Sequence, residues 1–208
     1  MQFNEPLEPG GWYHIYNRGV NGCDIFSRKS EYDLFLEKYD FYLSEFAETI
    51  AYCLLKNHFH ILIHIRAKLP IKPKTKVYRS DQEFQLGATG SVSKQFSHFF
   101  NFYTQNLNQL RGRKGSLFER RFKRKLIYDE NQLKNVVQYI HFNPVRHGFT
   151  ENLMKWPHSS YTAYINESQT WLERDKGLDI FGGLEKFKAA HEERQNFFDS
   201  IEYDIEIH

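Results

Sequence analysis

His58-Phe59-His60-Ile61-Leu62-Ile63-His64-Ile65 alternates along its length, and a period of two identifies a β-strand. Phe59, Ile61, Ile63 and Ile65 form an unbroken apolar row for a core. His58, His60, Leu62 and His64 point to the opposite side. Two imidazoles at i and i+2 on one strand face converge above it and can supply half of a divalent-metal site. Read alone, a His-x-His on an amphipathic strand is more often two exposed polar residues than a ligand pair.

The flanking segments give this strand its neighbours. Lys56-Asn57 is a two-residue turn leading back to a strand over 49–55. Upstream of that, residues 29–47 carry Tyr32, Phe35, Leu36, Tyr39, Tyr42, Leu43 and Phe46 at helical spacing. Trp12 to Tyr16 is dense in strand formers and ends at the turn-rich Asn17-Arg18-Gly19-Val20-Asn21-Gly22. Downstream, residues 66–90 hold Pro70, Pro73 and several lysines and read as an exposed connection. Residues 91–111 are helical, with Phe96, Phe99, Phe100, Tyr103, Leu107 and Leu110 on one side, until Gly112-Arg113-Lys114-Gly115 breaks the pattern. A basic strand follows at about 117–127, and Asp129 caps a helix from Glu130 to about Phe142, which Pro144 terminates. The order β-α-β-β-α-β-α predicts an α+β fold of the ferredoxin-like, split βαβ kind: an antiparallel sheet with helices mainly on one face. This unit covers 1–165, and residues 166–208 form an acidic, helical C-terminal extension on the same core.

The chain has 208 residues, 40% apolar and 26% charged, which argues against a disordered tail. No run approaches the ~18 apolar residues of a membrane span, and the N-terminal stretch lacks a signal-peptide pattern. Cys23 and Cys53 are too few for a disulfide framework and too far apart for a metal knuckle, as expected for the reducing cytoplasm. Charge is unevenly spread. Residues 66–150 hold 17 basic and 5 acidic side chains, against 5 and 9 in residues 1–65 and 6 and 12 in residues 151–208. So basic a middle calls for a polyanion or for compensation by the acidic flanks. Within it, Phe118-Glu119-Arg120-Arg121-Phe122-Lys123-Arg124-Lys125 interleaves aromatics with cations. That arrangement suits single-stranded nucleic acid, and equally a solvated basic face above core aromatics.

In the helix at 130–143, Leu133, Val136, Val137 and Ile140 form the buried stripe, with Tyr139 and Asn143 one turn apart on its edge. If this helix reaches the histidine face, a phenol and an amide hang over the two imidazoles; strictly one-faced packing would keep them apart. The plainer alternative is that Tyr139 packs amphipathically and Asn143 caps the helix.

Asn57-His58-Phe59-His60, then Tyr139-Ile140-His141-Phe142-Asn143-Pro144-Val145-Arg146-His147-Gly148 and Trp156-Pro157-His158-Ser159-Ser160-Tyr161, resemble the single-tyrosine HUH transposases. The closest group is the REP-associated tyrosine transposases, whose opening strand Tyr13-His14-Ile15-Tyr16-Asn17-Arg18-Gly19 also resembles. The resemblance runs in order from about 12 to 165. It implies an HUH fold with Phe59 as the apolar middle of the motif, His58 and His60 as metal ligands, Asn143 as the third ligand and Tyr139 as the nucleophile. It further implies a Mg²⁺ or Mn²⁺ cofactor and metal-dependent cleavage of single-stranded DNA, beside a hairpin, through a 5′-phosphotyrosine that is then rejoined. Relatives are monomers in some branches and homodimers in others. With that substrate, Arg120, Arg121, Lys123, Arg124 and Lys125 become candidate phosphate contacts, Arg18 and Arg146 join them, and Phe118 or Phe122 stacks on a base or fills the core. The chemistry suits these residue types: a phenol with a pKa of about 10 is a weak nucleophile at neutral pH, and a cation on a phosphate oxygen eases its attack. Two other readings remain at this point. One is a nucleic-acid-binding protein that keeps the fold without cutting. The other is a small zinc hydrolase using His58, His60 and either His64 or His141, which no HExxH or carboxylate-rich motif supports.

Overall fold

The strand-forming segments pair as their alternation requires. In a computed structural model that describes residues 5–70, 76–79, 82–85, 92–166 and 170–197, the strands β1 (Trp12–Arg18), β2 (Ala47–Leu54) and β3 (His58–Ile65) are followed by β4 (Lys76–Arg79), β5 (Gln82–Gln85) and β6 (Lys123–Ile127). Four of them make an antiparallel sheet in the order β2-β3-β1-β6, while β4 and β5 pair separately as a hairpin. That hairpin lies inside the connection expected at 66–90; the remainder of 71–91 lies outside the described residues.

Helices α1 (Lys29–Leu43) and α2 (Val92–Leu110) cover the face that carries Phe59, Ile61, Ile63 and Ile65. This core is aromatic: Phe35 meets Phe99 at 4.8 Å and Tyr103 at 5.2 Å between ring centres, both edge-on. Each such side chain, fully buried, contributes roughly 1.5–3 kcal/mol. The opposite face is also covered, by α3 (Glu130–Arg146), α4 (Tyr161–Ile165), α5 (Arg174–Phe181) and α6 (Leu184–Phe197). The α+β class and antiparallel sheet stand, but the helices expected mainly on one face are divided between the two. Leu62 sits between the histidines of β3, and an irregularity in β2 between Thr49 and Ala51 turns both Ile50 and Ala51 to the same side. Together with Cys53 they make this face apolar enough to bury Leu133, Val137 and Ile140 of α3. The C-terminal helices belong to this second core through Phe181 and Phe187. Gly177 of α5 packs so closely on Tyr164 that a Cβ there would lie 1.9 Å from the hydroxyl. Residues 198–208 of the expected extension lie outside the described residues.

Two local expectations are corrected. Asp129 does cap α3, accepting from the Gln132 amide at 2.9 Å, but the helix continues through Pro144 to Arg146. Pro144 lacks the N–H that would bond the Ile140 carbonyl, yet the end is closed beyond it by His147 N to Asn143 O (3.0 Å) and Gly148 N to Val145 O (3.0 Å). The basic strand begins at Lys123 rather than near 117. Residues 117–119 still follow the end of β1, with Val20 N bonded to Leu117 O and Glu119 N to Arg18 O, each at 2.9 Å. Arg121 then takes a left-handed backbone conformation (φ 62°) that interrupts the ladder. Cys23 and Cys53 are both unpaired thiols, and among the described residues no helix is long and apolar enough to cross a membrane.

One ion pair ties α1 to the end of α2. Glu31, 5% exposed, accepts from Arg111 Nε (3.0 Å) and Nη2 (2.6 Å) and from the amides of Ser27 (2.6 Å) and Arg28 (3.1 Å). Burial pushes the Glu31 carboxyl pKa up, but those donors outweigh it and hold it below the usual range. A depressed folded pKa means the stabilisation is complete above the unfolded value of about 4.3 and drains away as pH falls through the lower folded value. Glu31→Gln should therefore destabilise the fold by about 3 kcal/mol at pH 7. In urea unfolding, its deficit against the unmodified protein should shrink as the pH is taken below about 4.

Candidate active site

Strand register decides which side chains meet. On β1, Tyr16 lies opposite His60, Arg18 opposite His58 and His14 opposite Leu62. Period-two alternation therefore gathers His14, Tyr16 and Arg18 with His58 and His60 on one face. On β6, Lys123 is opposite Tyr16 and Lys125 opposite His14, so both lysines join that face. Helix α3 crosses above it. The Tyr139 ring stands edge-on to His60 at 5.3 Å and to His14 at 5.9 Å, and Asn143 Oδ1 lies 3.4 Å from His58 Nε2. Tyr139, His58, His60 and Asn143 thus come together, drawn from one helix edge and one strand face.

The hydrogen bonds leave lone pairs facing inward. His58 Nδ1 donates to Asn57 Oδ1 at 2.8 Å, so its Nε2 is an acceptor. Asn143 donates from Nδ2 to the Tyr139 carbonyl at 3.1 Å, which turns its own acceptor oxygen toward His58. His60 Nδ1 shares a proton with His14 Nε2 at 2.9 Å, while its Nε2 is buried without a protein partner. Burial, aided by neighbouring His147 and Arg18 and only partly offset by the contact with Asn143, brings the His58 pKa down to about 4. His60 is pushed well below its ordinary value by burial and by the surrounding imidazoles and Arg146, and burial with Lys125 brings His14 down to about 3. All three rings are therefore neutral at pH 7. Two acceptors face each other across 3.4 Å and a third buried imidazole nitrogen is orphaned. Such a set of neutral donors fits a divalent cation. Among the described residues no trio of His, Cys, Asp and Glu gathers for this purpose; a third donor would have to be the Asn143 amide oxygen.

Tyr139 is 5% exposed. Burial raises its pKa above the ordinary phenol value, while Asn143 and the Arg146 guanidinium, 5.8 Å from the ring centre, act in the opposite direction. Beside it, Tyr16, Asn17, Arg18, His58, His60, Glu119 and Lys123 line an opening to solvent. Arg18 is paired with Glu119 there, and Lys123 Nζ sits 6.0 Å from the Tyr16 ring. Arg120 and Arg121 are exposed and line a groove of about 230 Å³ running between α2 and residues 116–122. Arg124 does not share the site. Strand alternation sends it to the other face, where it bonds Ser93 Oγ at 2.6 Å and the Glu5 carbonyl and lies over Phe122. Phe118 and Phe122 are buried in the aromatic core. Sequence reading missed His14, Tyr16 and His147, whose ring lies 4.8 Å from His58. The alternation of Tyr13-His14-Ile15-Tyr16 carried the signal for the first two; the pairing of β1 with β3 did not show in it.

No family model matches the chain. A curated Haemophilus influenzae protein that bears the name REP-associated tyrosine transposase is 32% identical over 133 residues. The match spans 64% of this chain and 66% of that protein, just under two thirds of its length. The solved structure of a REP-associated tyrosine transposase bound to a REP hairpin overlays with a TM-score of 0.56 at 16% identity, covering 80% of this chain and 85% of that one. This chain is similar to the REP-associated tyrosine transposases. The sequence match carries the similarity and the overlay carries the shared α+β fold. A bacterial tRNA(His) guanylyltransferase-like protein in complex with ATP overlays at a TM-score of only 0.40 and 10% identity, and nothing about activity follows from it.

Proposed function

We propose that this chain cuts single-stranded DNA beside a hairpin and rejoins it, using Tyr139 as the nucleophile. The observation that carries the reading is the meeting of Tyr139 and Asn143, on one helix edge, with His58 and His60 on one strand face. In the proposed step the Tyr139 oxygen forms a bond to phosphorus and gives up its proton. The bond from phosphorus to the 3′-oxygen breaks, and that oxygen leaves as a hydroxyl after gaining a proton. The product is a 5′-phosphotyrosine, which keeps roughly the energy of the phosphodiester. A second 3′-hydroxyl can then reverse the exchange without ATP or water.

A Mg²⁺ or Mn²⁺ ion held by His58 Nε2, His60 Nε2 and Asn143 Oδ1 would supply positive charge at a non-bridging phosphate oxygen and polarise the phosphorus. The protein does the rest. Helix α3 fixes the phenol relative to the imidazoles, and burial keeps water away from the covalent intermediate. Arg146 favours the developing phenolate. Arg18, Lys123 and Lys125 border the same face as phosphate contacts, and Arg120 and Arg121 extend the track. A hairpin substrate is supported by the REP hairpin bound to the structurally similar transposase.

Labelled hairpin oligonucleotides with single-stranded tails, incubated with Mn²⁺ and run on a denaturing gel, should yield a slowly migrating protein–DNA adduct. Tyr139→Phe should reduce that adduct to below about one thousandth of the unmodified level while leaving DNA binding intact. An undiminished adduct would move the nucleophile to another tyrosine, and metal-indifferent binding without any adduct would favour the non-cleaving reading. The two faces of β6 make a separate prediction. Lys123→Ala and Lys125→Ala should each lower the slope of log affinity against log salt by about 0.7. Arg124→Ala should leave that slope unchanged and lower the unfolding temperature instead.

A further inference from the structure

A ligand histidine works only if its other ring nitrogen is held. For His58 that duty falls on the adjacent Asn57 side-chain oxygen, Oδ1. For His60 nothing nearby in sequence serves. The antiparallel register places Tyr16 opposite His60 and His14 opposite Leu62, so His14 lies diagonally across the strand pair on the same face. Its ring lies nearly parallel to that of His60, with centres 5.0 Å apart and planes at 27°, and the two nitrogens meet at 2.9 Å. Both side chains are buried, at 4% and 1% exposure.

One proton occupies that short contact, and it has two possible owners. If His14 donates, neutral His60 must carry its hydrogen on Nε2, where the buried nitrogen has no acceptor. If His60 donates from Nδ1, its Nε2 keeps an unshared lone pair on a ring that stands 5.3 Å from that of Tyr139. A cation satisfies only the second arrangement. We propose that His14 is a positioning residue, which accepts the Nδ1 proton of His60 and fixes the tautomer and ring orientation that present Nε2 to the divalent cation. This role rests on the metal-site reading above. Ligand histidines usually donate to a carboxylate or carbonyl; a neutral imidazole does the same without adding negative charge beside the ion.

The test measures Mn²⁺ affinity of the full chain without DNA, by titration calorimetry, so that cleavage plays no part. His14→Leu removes the acceptor and should weaken Mn²⁺ binding by about 10- to 100-fold. His14→Gln sets an amide oxygen near the place of Nε2 and should recover most of that loss. Because His14 also touches the Tyr139 ring, nitrogen NMR of the histidine side chains gives a second readout on the unmodified, metal-free protein. It should show His60 protonated at Nδ1. An Nε2-protonated His60, unmodified affinity in His14→Leu, or equal losses in two variants that unfold at the normal temperature would each overturn the role of His14. Failure of the unmodified protein to bind Mn²⁺ would overturn the metal site and this role together. Binding lost in His60→Ala but kept in His14→Leu would leave the metal site standing and remove His14 alone.

Discussion

The antiparallel pairing of β1 with β3 is the constraint on which the site depends. In the observed register the face of β1 that carries His14, Tyr16 and Arg18 is the face of β3 that carries His58 and His60. A slip of one residue would turn every one of the β1 side chains into the aromatic core and bring Tyr13 and Ile15 out of it. The core thus enforces the register for ordinary hydrophobic reasons, and the polar cluster inherits its geometry. Lys123 and Lys125 follow by the same rule from the pairing of β6 with β1, and so does the loss of Arg124 to the opposite face.

A polar cluster inside an apolar layer is expensive unless each group is satisfied. Here the imidazoles are kept neutral by burial, and their protons are spent on Asn57 and within the His14–His60 pair. Deeper in the same layer, His191 bonds the Phe187 carbonyl at 2.8 Å and meets His141 at 2.9 Å, which in turn meets Ser160 Oγ at 2.9 Å. Ser160 accepts the Tyr52 amide of β2 at 2.9 Å. This chain of four groups joins α6, α3 and the sheet, and it is fully partnered, unlike His60 Nε2. The contrast separates the two buried histidine groups by chemistry. One is a closed network that fixes the helix bearing Tyr139, and the other leaves a lone pair free for a ligand.

Much of this was legible in local sequence and some could not be. The strand at 58–65, its two faces, the stripe of α2 from Phe96 to Leu107 and the Asp129 cap are properties of short windows, where period and capping chemistry are decided within a few residues; Leu110, expected on that stripe, is instead exposed in the last turn of α2. The second helical layer was not legible. Among the histidines only Leu62 announced an apolar surface, and Ile50, Ala51 and Cys53 reach the same side through an irregularity in β2. The extension of α3 past Pro144 and the left-handed turn at Arg121 are backbone choices imposed by tertiary contacts. Tyr139, His58, His60 and Asn143 could be proposed as a set from a family resemblance. His14 could not be tied to His60, since diagonal neighbours on paired strands, 46 residues apart, carry no local signal.

The choice of donors also fits the charge layout of the chain. An acidic metal site would neutralise the ion it held and oppose an incoming phosphate. Two imidazoles and an amide add no charge, so a bound divalent ion would retain its full attraction for the DNA backbone. Arg146 at the Tyr139 ring, Lys123 at the opening and Lys125 on the same strand face add to that field. Among the described residues that line the opening, the carboxylate is Glu119, and it is already paired with Arg18. The basic middle of the sequence and the uncharged ligand set therefore act in the same direction: both concentrate positive potential where a phosphodiester would meet the Tyr139 oxygen.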